Sequence, residues 1–574
     1  MTLKQLLPLL VLIPFACFAR EKPGATVPWI TYEAEQMRHT GKILGPGYNP
    51  YQVETASSNQ QCVQLGKGQY VEFTARAKAN SLVIRYSLPD DESGKGLTAT
   101  LGIYRNGQRI QNIPVSSALC RLYGKYPFTN DPAAGKPRNF YDDVRITNIS
   151  LAKGDVTRIQ LNAQPGESPT CIIDLADLEN IPPALKAPAN SLSITNPAFL
   201  QPGIKGDYTG AFRKCIDSAQ QTGKSVWLPA GTFIITGDLL IPAGLTIQGA
   251  GIWYSTLTGN DSLYTDAAKR VRLKGNGSNI HLADFAITGK LNYRSDREPN
   301  DGIVGSFGTH STIQRLWIEH TKVGMWIENS DSLQIDDCRL RNTIADGINF
   351  CVGMRHSVIN NCTARNTGDD CFAIWPAVFA KQQYKPGYNL ITHCTGQLPF
   401  LANGAAVYGG ENNAVKNCSF TDITAGSAIL ISTTFPTATK NNSTNNNFSG
   451  TTIIENCSIT NSGGFDHEWD WRAAVEICLD KRDIAGIQLR NLVIQNSLSN
   501  AVNIIAKNEV DKAGKLSNTL FNNVQINGYG IATKESHALY ISPAAHGSLK
   551  MNDCNITYPG STEQFSITST HAPE

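Results

Sequence analysis

The sequence predicts an all-β protein, a right-handed parallel β-helix preceded by an antiparallel β-sandwich, and three observations predict it. Gly302, Gly324 and Gly347 are spaced 22 and 23 residues apart, each opens a short apolar run ("GIVG", "GMWI", "GINF"), and Asp370 of "DDCFAIW" follows 23 later. Six cysteines repeat one local pattern, an apolar residue and two mostly polar residues before the cysteine: "IDDC", "INNC", "ITHC", "VKNC", "IENC" and "MNDC". A period in the low twenties, with β-branched residues, frequent Asn and almost no helical periodicity, marks stacked coils. Upstream of residue 181 the pattern changes to short alternating segments separated by turn signals, the signature of a sandwich.

The amino terminus reads as an export signal. Lys4 precedes an apolar run from Leu6 to Ala19, so residues 1–19 are assigned to a signal peptide and the protein to a secreted or periplasmic location. Lipid anchoring at Cys17 is the lesser reading, because "PFAC" has proline where leucine is usual. No later segment approaches the roughly 20 apolar residues of a membrane span. A formal net charge of +2 with 17% charged residues excludes a nucleic-acid surface or polybasic anchor as the basis of function. With 574 residues, two domains are expected, and the protein is expected to work as a monomer.

Taken in order, the sandwich spans residues 29–181, where "QYVEFTA", "SLVIRYSL" and "ATLGIYRNG" supply strands. "IPPALKAPANS" reads as a linker over 182–189. The parallel stack, residues 190–565, then needs a lid over its open end. "TGAFRKCIDSAQQTGK" provides one: Phe212, Cys215, Ile216 and Ala219 recur at helical spacing, with Thr209 as cap and Gly223 as stop. The first strand of the stack is expected at "SVWLPAGTFII".

Removing Cys17 from the 14 cysteines leaves 13, an odd number. The patterned ones, Cys338, Cys362, Cys394, Cys418, Cys457 and Cys554, read as inward-pointing small hydrophobes stacked coil on coil. The residue before each (Asp337, Asn361, His393, Asn417, Asn456, Asp553) reads as a turn ladder, since Asn and Asp tolerate the left-handed backbone of a sharp turn.

Chemistry is concentrated in "ADGINFCVGMRHSVINNCTARNTGDDCFAIW", residues 345–375. Residues one coil apart lie about 4.8 Å apart, so Asp346 should neighbour one of Asp369 and Asp370, with the third carboxylate beside them. Such a cluster either binds a cation or keeps one member protonated for acid catalysis. The plainer reading is that "DG" and "GDD" are only turns; Asp301 in "NDGIVG" lacks an acidic equivalent one coil later. Trp375 on the same coil suits a sugar platform, and Tyr408 and Glu411 in "VYGGENN" lie on the next. Both aspartates of the pair reach one cleft only if the backbone turns there, which Gly368 permits.

One aspartate on one coil and an adjacent pair on the next resembles the inverting β-helix glycoside hydrolases, among them polygalacturonases, dextranases and the α-1,3-glucanases of glycoside hydrolase family 87. "GAGIWYSTLTG", "RNTGDDCFAIWP" and "GSAILISTTF" look most like family 87. "YEAEQM" and "GKPRNFYDDVR" are similar to a carbohydrate-binding module of family 35 type. Polygalacturonases carry an Asn-Thr-Asp signature and a downstream Gly-His and Arg-x-Lys; this chain has "IADGIN" and "NGAAVYGGENN" instead, which implies an uncharged polysaccharide, an α-glucan, as substrate.

The resemblance implies hydrolysis of α-1,3-glucosidic links with inversion and no catalytic cofactor, with Asp369 as general acid and Asp346 and Asp370 as the water-activating pair. It also implies a structural calcium in the module, held by Glu33, Glu35 and Asp174. Phe140 and Tyr141 suit either sugar stacking or core packing. The rival readings are a dextranase-like hydrolase, a lyase with Arg355 or Arg365 as base, and a non-catalytic carbohydrate-binding surface protein.

Overall fold

The computed structural model describes residues 22–200, 206–466, 470–507 and 513–570. The signal assigned to residues 1–19, with Cys17, lies outside them. The amino-terminal unit is a sandwich of a six-stranded and a five-stranded antiparallel sheet. Val156–Leu161 illustrates why: Thr157, Ile159 and Leu161 are buried while the residues between them are half-exposed, the period-2 pattern of a strand with one face on a core. Trp29–Glu33 pairs with Thr170–Glu179, so the first and last strands of the unit are neighbours.

The predicted helix is present as Thr209–Thr222, with Phe212, Cys215, Ile216 and Ala219 buried. Its start is capped differently from the expectation. Asp207 Oδ1, rather than Thr209, accepts the early helical N–H, at 2.8 Å from Thr209 N, because Thr209 is already the first helical residue. Gly223 ends the helix in the left-handed conformation, at φ 64°.

Parallel strands follow in two long sheets, one of 22 strands and one of 11. The stack opens at Ser191–Ser193, a polar segment with no legible strand pattern that pairs with Ser225–Leu228. It closes with Phe565–Ser569. One continuous apolar core runs from Ile194 to Phe565. Phe350 and Phe372, fully buried, come from strands paired one coil apart; truncating either to alanine is expected to cost about 3–5 kcal/mol.

The turn ladder is real and is one of three. Asp337, Asn361, His393, Asn417, Asn456 and Asp553 all have φ between 51° and 56°. The amides bond up the stack, Asn361 Nδ2 to Asp337 Oδ1 at 2.6 Å and Asn456 Nδ2 to Asn417 Oδ1 at 3.1 Å. Two further left-handed corners flank it on each central coil: Ser332, His356, Tyr388 and Asn412 before it, and Asn342, Asn366, Leu398 and Asp422 after it. Their side chains are too varied to show as a repeat. The 13 cysteines among the described residues are free thiols, and all but Cys554 are buried.

The sandwich is locked onto the coils by buried polar contacts. Arg339 binds Glu179 through both guanidinium nitrogens, at 2.7 and 2.8 Å, and Arg365 reaches Asp177 at 2.9 Å. Asn366 Nδ2 donates to Asn139 Oδ1 at 2.8 Å. Buried charges persist when paired in this way. Phe140 and Tyr141 are buried, with the Arg85 guanidinium 4.1 Å above the Tyr141 ring, so both pack structurally. Among the described residues no helix is long and apolar enough to cross a membrane.

Candidate active site

Strand register brings the three aspartates together. Ile348–Phe350 pairs with Phe372–Ile374, and that strand with Ala405–Val407. The residues two positions before each strand are Asp346, Asp370 and Asn403, so these stack at one corner of successive coils. Asp369 is brought in by the bend that follows Asn366, which is left-handed at φ 60°. Gly368 contributes something other than the turn: a Cβ there would stand 2.1 Å from Ile344 O, so its role is close approach of the two coils. Oxygens of Asp346, Asp369 and Asp370 lie within 4.8 Å of one another. They line a cleft of about 760 Å³ with Trp326, Trp375, Phe379 and Phe435 among its walls.

The surroundings of the three carboxylates are unequal. Asp370 is buried (3% exposed), and both its oxygens are held: Asn403 Nδ2 donates to Oδ1 at 2.7 Å and the Tyr408 hydroxyl to Oδ2 at 2.9 Å. Burial and the Asp369 charge still push its carboxyl up to about 7. Asp346 is also buried (6% exposed), but its one hydrogen bond is a long 3.4 Å contact from Asn349 Nδ2. Desolvation, then the charges of Asp369 and Asp370, drive it well above the carboxylate range. Asp369 is half-buried and faces a cation, with Oδ2 2.5 Å from Arg294 Nη2; its Oδ1 accepts the Asp370 N–H at 3.2 Å.

Arg294 escaped the sequence reading, because it lies in a loop without periodicity between His281–Thr288 and Gly302–Thr309. Its guanidinium also donates to Gly368 O at 2.7 Å, to Asp296 Oδ1 at 3.0 Å and to the Tyr126 hydroxyl at 3.2 Å. Tyr126 belongs to the amino-terminal unit and lines the cleft, so the sandwich completes the wall of the site. Asn403 sat in the quoted "NGAAVYGGENN"; its register with Asp370 was the available signal.

The other expected substrate contacts divide. Trp375 lines the cleft, 5.4 Å from the Phe435 ring and 5.8 Å from that of Phe379, and Phe379 and Phe435 are exposed. Tyr408 is a buried anchor for Asp370 rather than an open platform. Glu411 is not among the cleft residues: Lys385 Nζ holds it at 2.7 Å and the Tyr388 hydroxyl at 3.0 Å. Arg365 is committed to the sandwich and Arg355 sits 5.0 Å over the Tyr388 ring; neither lines the cleft.

The proposed calcium ligands do not converge as a set. Asp174 is taken by the Arg85 guanidinium and accepts the Ser58 N–H at 2.9 Å. Glu33 and Glu35 each keep a buried Oε2 without a partner, which fits a cation ligand. Burial, then the charges of Asp174, Glu35 and Asp422, push the Glu33 carboxyl up to about 9.

An open cleft on a stack of coils, acids on its floor and aromatic rings along its wall, suits an extended chain rich in hydroxyls, and places the protein among β-helix enzymes that act on polysaccharides. Comparison with known proteins makes this specific. Residues 211–565 match the model of the α-1,3-glucanase catalytic domain D2, and residues 26–181 that of domain D1. The chain belongs to the α-1,3-glucanase catalytic domain family, glycoside hydrolase family 87. Its amino-terminal unit thus matches a domain described as catalytic, where the resemblance implied a carbohydrate-binding module. The crystal structure of the Agl-KA catalytic domain is 25% identical, covering 96% of this chain and 98% of that one, at TM-score 0.84. The catalytic unit of the thermostable family 87 α-1,3-glucanase from Streptomyces thermodiastaticus strain HF3-3 is 27% identical over 96% and 97%, at TM-score 0.79. A family 87 catalytic domain solved with nigerose shares the fold at 24% identity, 96% and 100% coverage and TM-score 0.79. No curated protein matches the chain.

Proposed function

We propose that this protein is an exported, monomeric enzyme that hydrolyses α-1,3-glucosidic linkages of α-glucan with inversion of configuration. The observation that carries the mechanism is the unequal setting of the three carboxylates. Asp346, buried and nearly unbonded, has the carboxyl best suited to hold a proton, since burial and the neighbouring aspartates raise it well above its ordinary value. Asp369 is instead held by the Arg294 guanidinium, 2.5 Å away. This reverses the assignment that the resemblance implied, in which Asp369 is the acid.

In the resulting reaction Asp346 gives its proton to the glycosidic oxygen as the bond from that oxygen to the anomeric carbon breaks. A water held by Asp369 and Asp370 attacks the carbon from the opposite face. Asp370, poised near neutrality, takes the water's proton. The nearest oxygens, within 4.8 Å, are closer than the roughly 6.5–9.5 Å of most inverting pairs, so separation does not carry the stereochemistry. Inversion is supported by hydrogen bonding: both oxygens of Asp369 and of Asp370 are engaged, which weakens them as nucleophiles toward carbon while leaving lone pairs to hold water.

Glu33 and Glu35 are the residues we assign to a structural cation, without Asp174. When bound there, calcium would neutralise two half-buried carboxylates. The functional reading is tested by the products released from insoluble α-1,3-glucan, nigeran, dextran and polygalacturonate. Release from the first two and not the others supports it. An unsaturated product absorbing in the ultraviolet would instead mean a lyase.

A further inference from the structure

Between residues 122 and 138 the chain leaves both sheets of the sandwich, in an arm pinned at its base by the antiparallel pairing of Leu122–Tyr123 with Pro137–Arg138. Two of its apolar side chains, Leu122 and Phe128, are buried in the core of the coils and not in that of the sandwich. The arm thereby reaches the loop that carries Arg294. Phe128 O accepts the Arg294 N–H at 2.9 Å, Asn130 Nδ2 donates to Asn292 Oδ1 at 3.3 Å, and the Arg294 guanidinium carbon lies 4.8 Å from the centre of the Tyr126 ring.

We propose that Tyr126 is a positioning residue for the hydrolysis, acting on Asp369 through Arg294, so that the sandwich serves the chemistry by placing one of the water-holding carboxylates. The proposal rests on the glucanase reading above.

The contacts form a closed ring. Arg294 Nε donates to Asp296 Oδ1 at 3.0 Å, the Tyr126 hydroxyl donates to Asp296 Oδ2, and Arg294 Nη2 donates to the Tyr126 hydroxyl at 3.2 Å. Each of the three residues therefore contacts the other two. The side of the guanidinium that faces the coils is left to Gly368 O, 2.7 Å from Nη1, and to Asp369 Oδ2, 2.5 Å from Nη2. Nη2 carries two N–H groups, and it has one partner on each side, Tyr126 from the sandwich and Asp369 from the coils. A long side chain on a loop is mobile unless it is tied down, and a catalytic group works only when its supports are held in one geometry. The Tyr126 ring over the guanidinium adds a cation–π contact to the same end. Without the hydroxyl, one N–H of Nη2 loses its partner and the guanidinium is free to turn, carrying Asp369 with it.

Tyr126→Phe removes the hydroxyl and keeps the ring. Tyr126 is 40% exposed, so this variant is expected to melt at the wild-type temperature. On a soluble α-1,3-linked oligosaccharide its kcat is expected to fall about 10- to 100-fold, the effect of a small misplacement of a reacting group, with KM unchanged. In an Arg294→Met background the same change is expected to lower kcat no further, because residues that act through one another are not additive. Wild-type kcat in Tyr126→Phe would overturn the proposal. So would a raised KM at wild-type kcat, which would make Tyr126 only a wall for the sugar, and so would an equal fall in kcat in both backgrounds, which would mean that it acts independently of Arg294. If Arg294→Met does not fold, the kcat and KM of Tyr126→Phe decide. Failure of the glucanase reading is distinct: the wild type would not cleave the soluble oligosaccharide.

Discussion

Arg294 Nη2 stands 2.5 Å from Asp369 Oδ2, and the same guanidinium bonds the carbonyl of Gly368 beside it. A cation so placed fixes the position of the residue that family resemblance makes the proton donor. Proton donation therefore falls to Asp346, the carboxyl with no cation in contact and the poorest hydrogen bonding.

Leaving groups separate the two assignments. Asp346→Asn should lower turnover on α-1,3-glucan oligosaccharides by ~10²–10⁴-fold. On an aryl α-glycoside whose phenol departs without protonation the loss should largely disappear. If Asp369→Asn, and not Asp346→Asn, shows this recovery in steady-state kinetics, the roles are exchanged.

The same residue predicts a stability effect. Asp346 has its carboxyl raised in the folded state, so its stabilising contribution is complete below the unfolded value near 3.9 and is lost as pH rises through the raised folded value. Asp346→Asn should then melt at higher temperature than wild type at pH 8, the difference vanishing near pH 4. Equal melting at both pH values would show that burial does not penalise this carboxylate.

Buried ion pairs tie the sandwich to the coils. Glu179→Ala leaves Arg339 unpaired in the interface and should destabilise the protein by about 3–5 kcal/mol. Urea titration followed by circular dichroism measures it; a change below 1 kcal/mol would mean the contact is solvated in solution.

Calcium should raise the melting temperature of the wild type, and a chelator should lower it, through Glu33 and Glu35. In Glu33→Gln the response should vanish while turnover stays unchanged. A response that persists in that variant would remove Glu33 from the cation site.

Much of this was legible in the sequence, and the boundary of legibility has a physical cause. Asp346, Asp369 and Asp370 could be found because a β-helix converts a period of 23 or 24 residues into neighbours in space. The Cys338 to Cys457 ladder was visible for the same reason, one residue type recurring at one corner. The corners at Ser332, His356 and Tyr388 carry the same left-handed backbone with unrelated side chains and left no pattern. Arg294 and Tyr126 come from loops of both units, and only tertiary packing brings them to the cleft. Glu411 lies three residues after Tyr408 but is held by Lys385 and Tyr388, an engagement that sequence proximity does not report.

The central claim is that water, held by Asp369 and Asp370 and opposed by the proton of Asp346, is the nucleophile. Proton NMR of the anomeric region in the first minutes of hydrolysis of an α-1,3-linked gluco-oligosaccharide tests it most directly. The account predicts that the β-anomer accumulates first and then mutarotates. Initial release of the α-anomer would contradict it, because a glycosyl-enzyme intermediate would then have formed on one of these carboxylates.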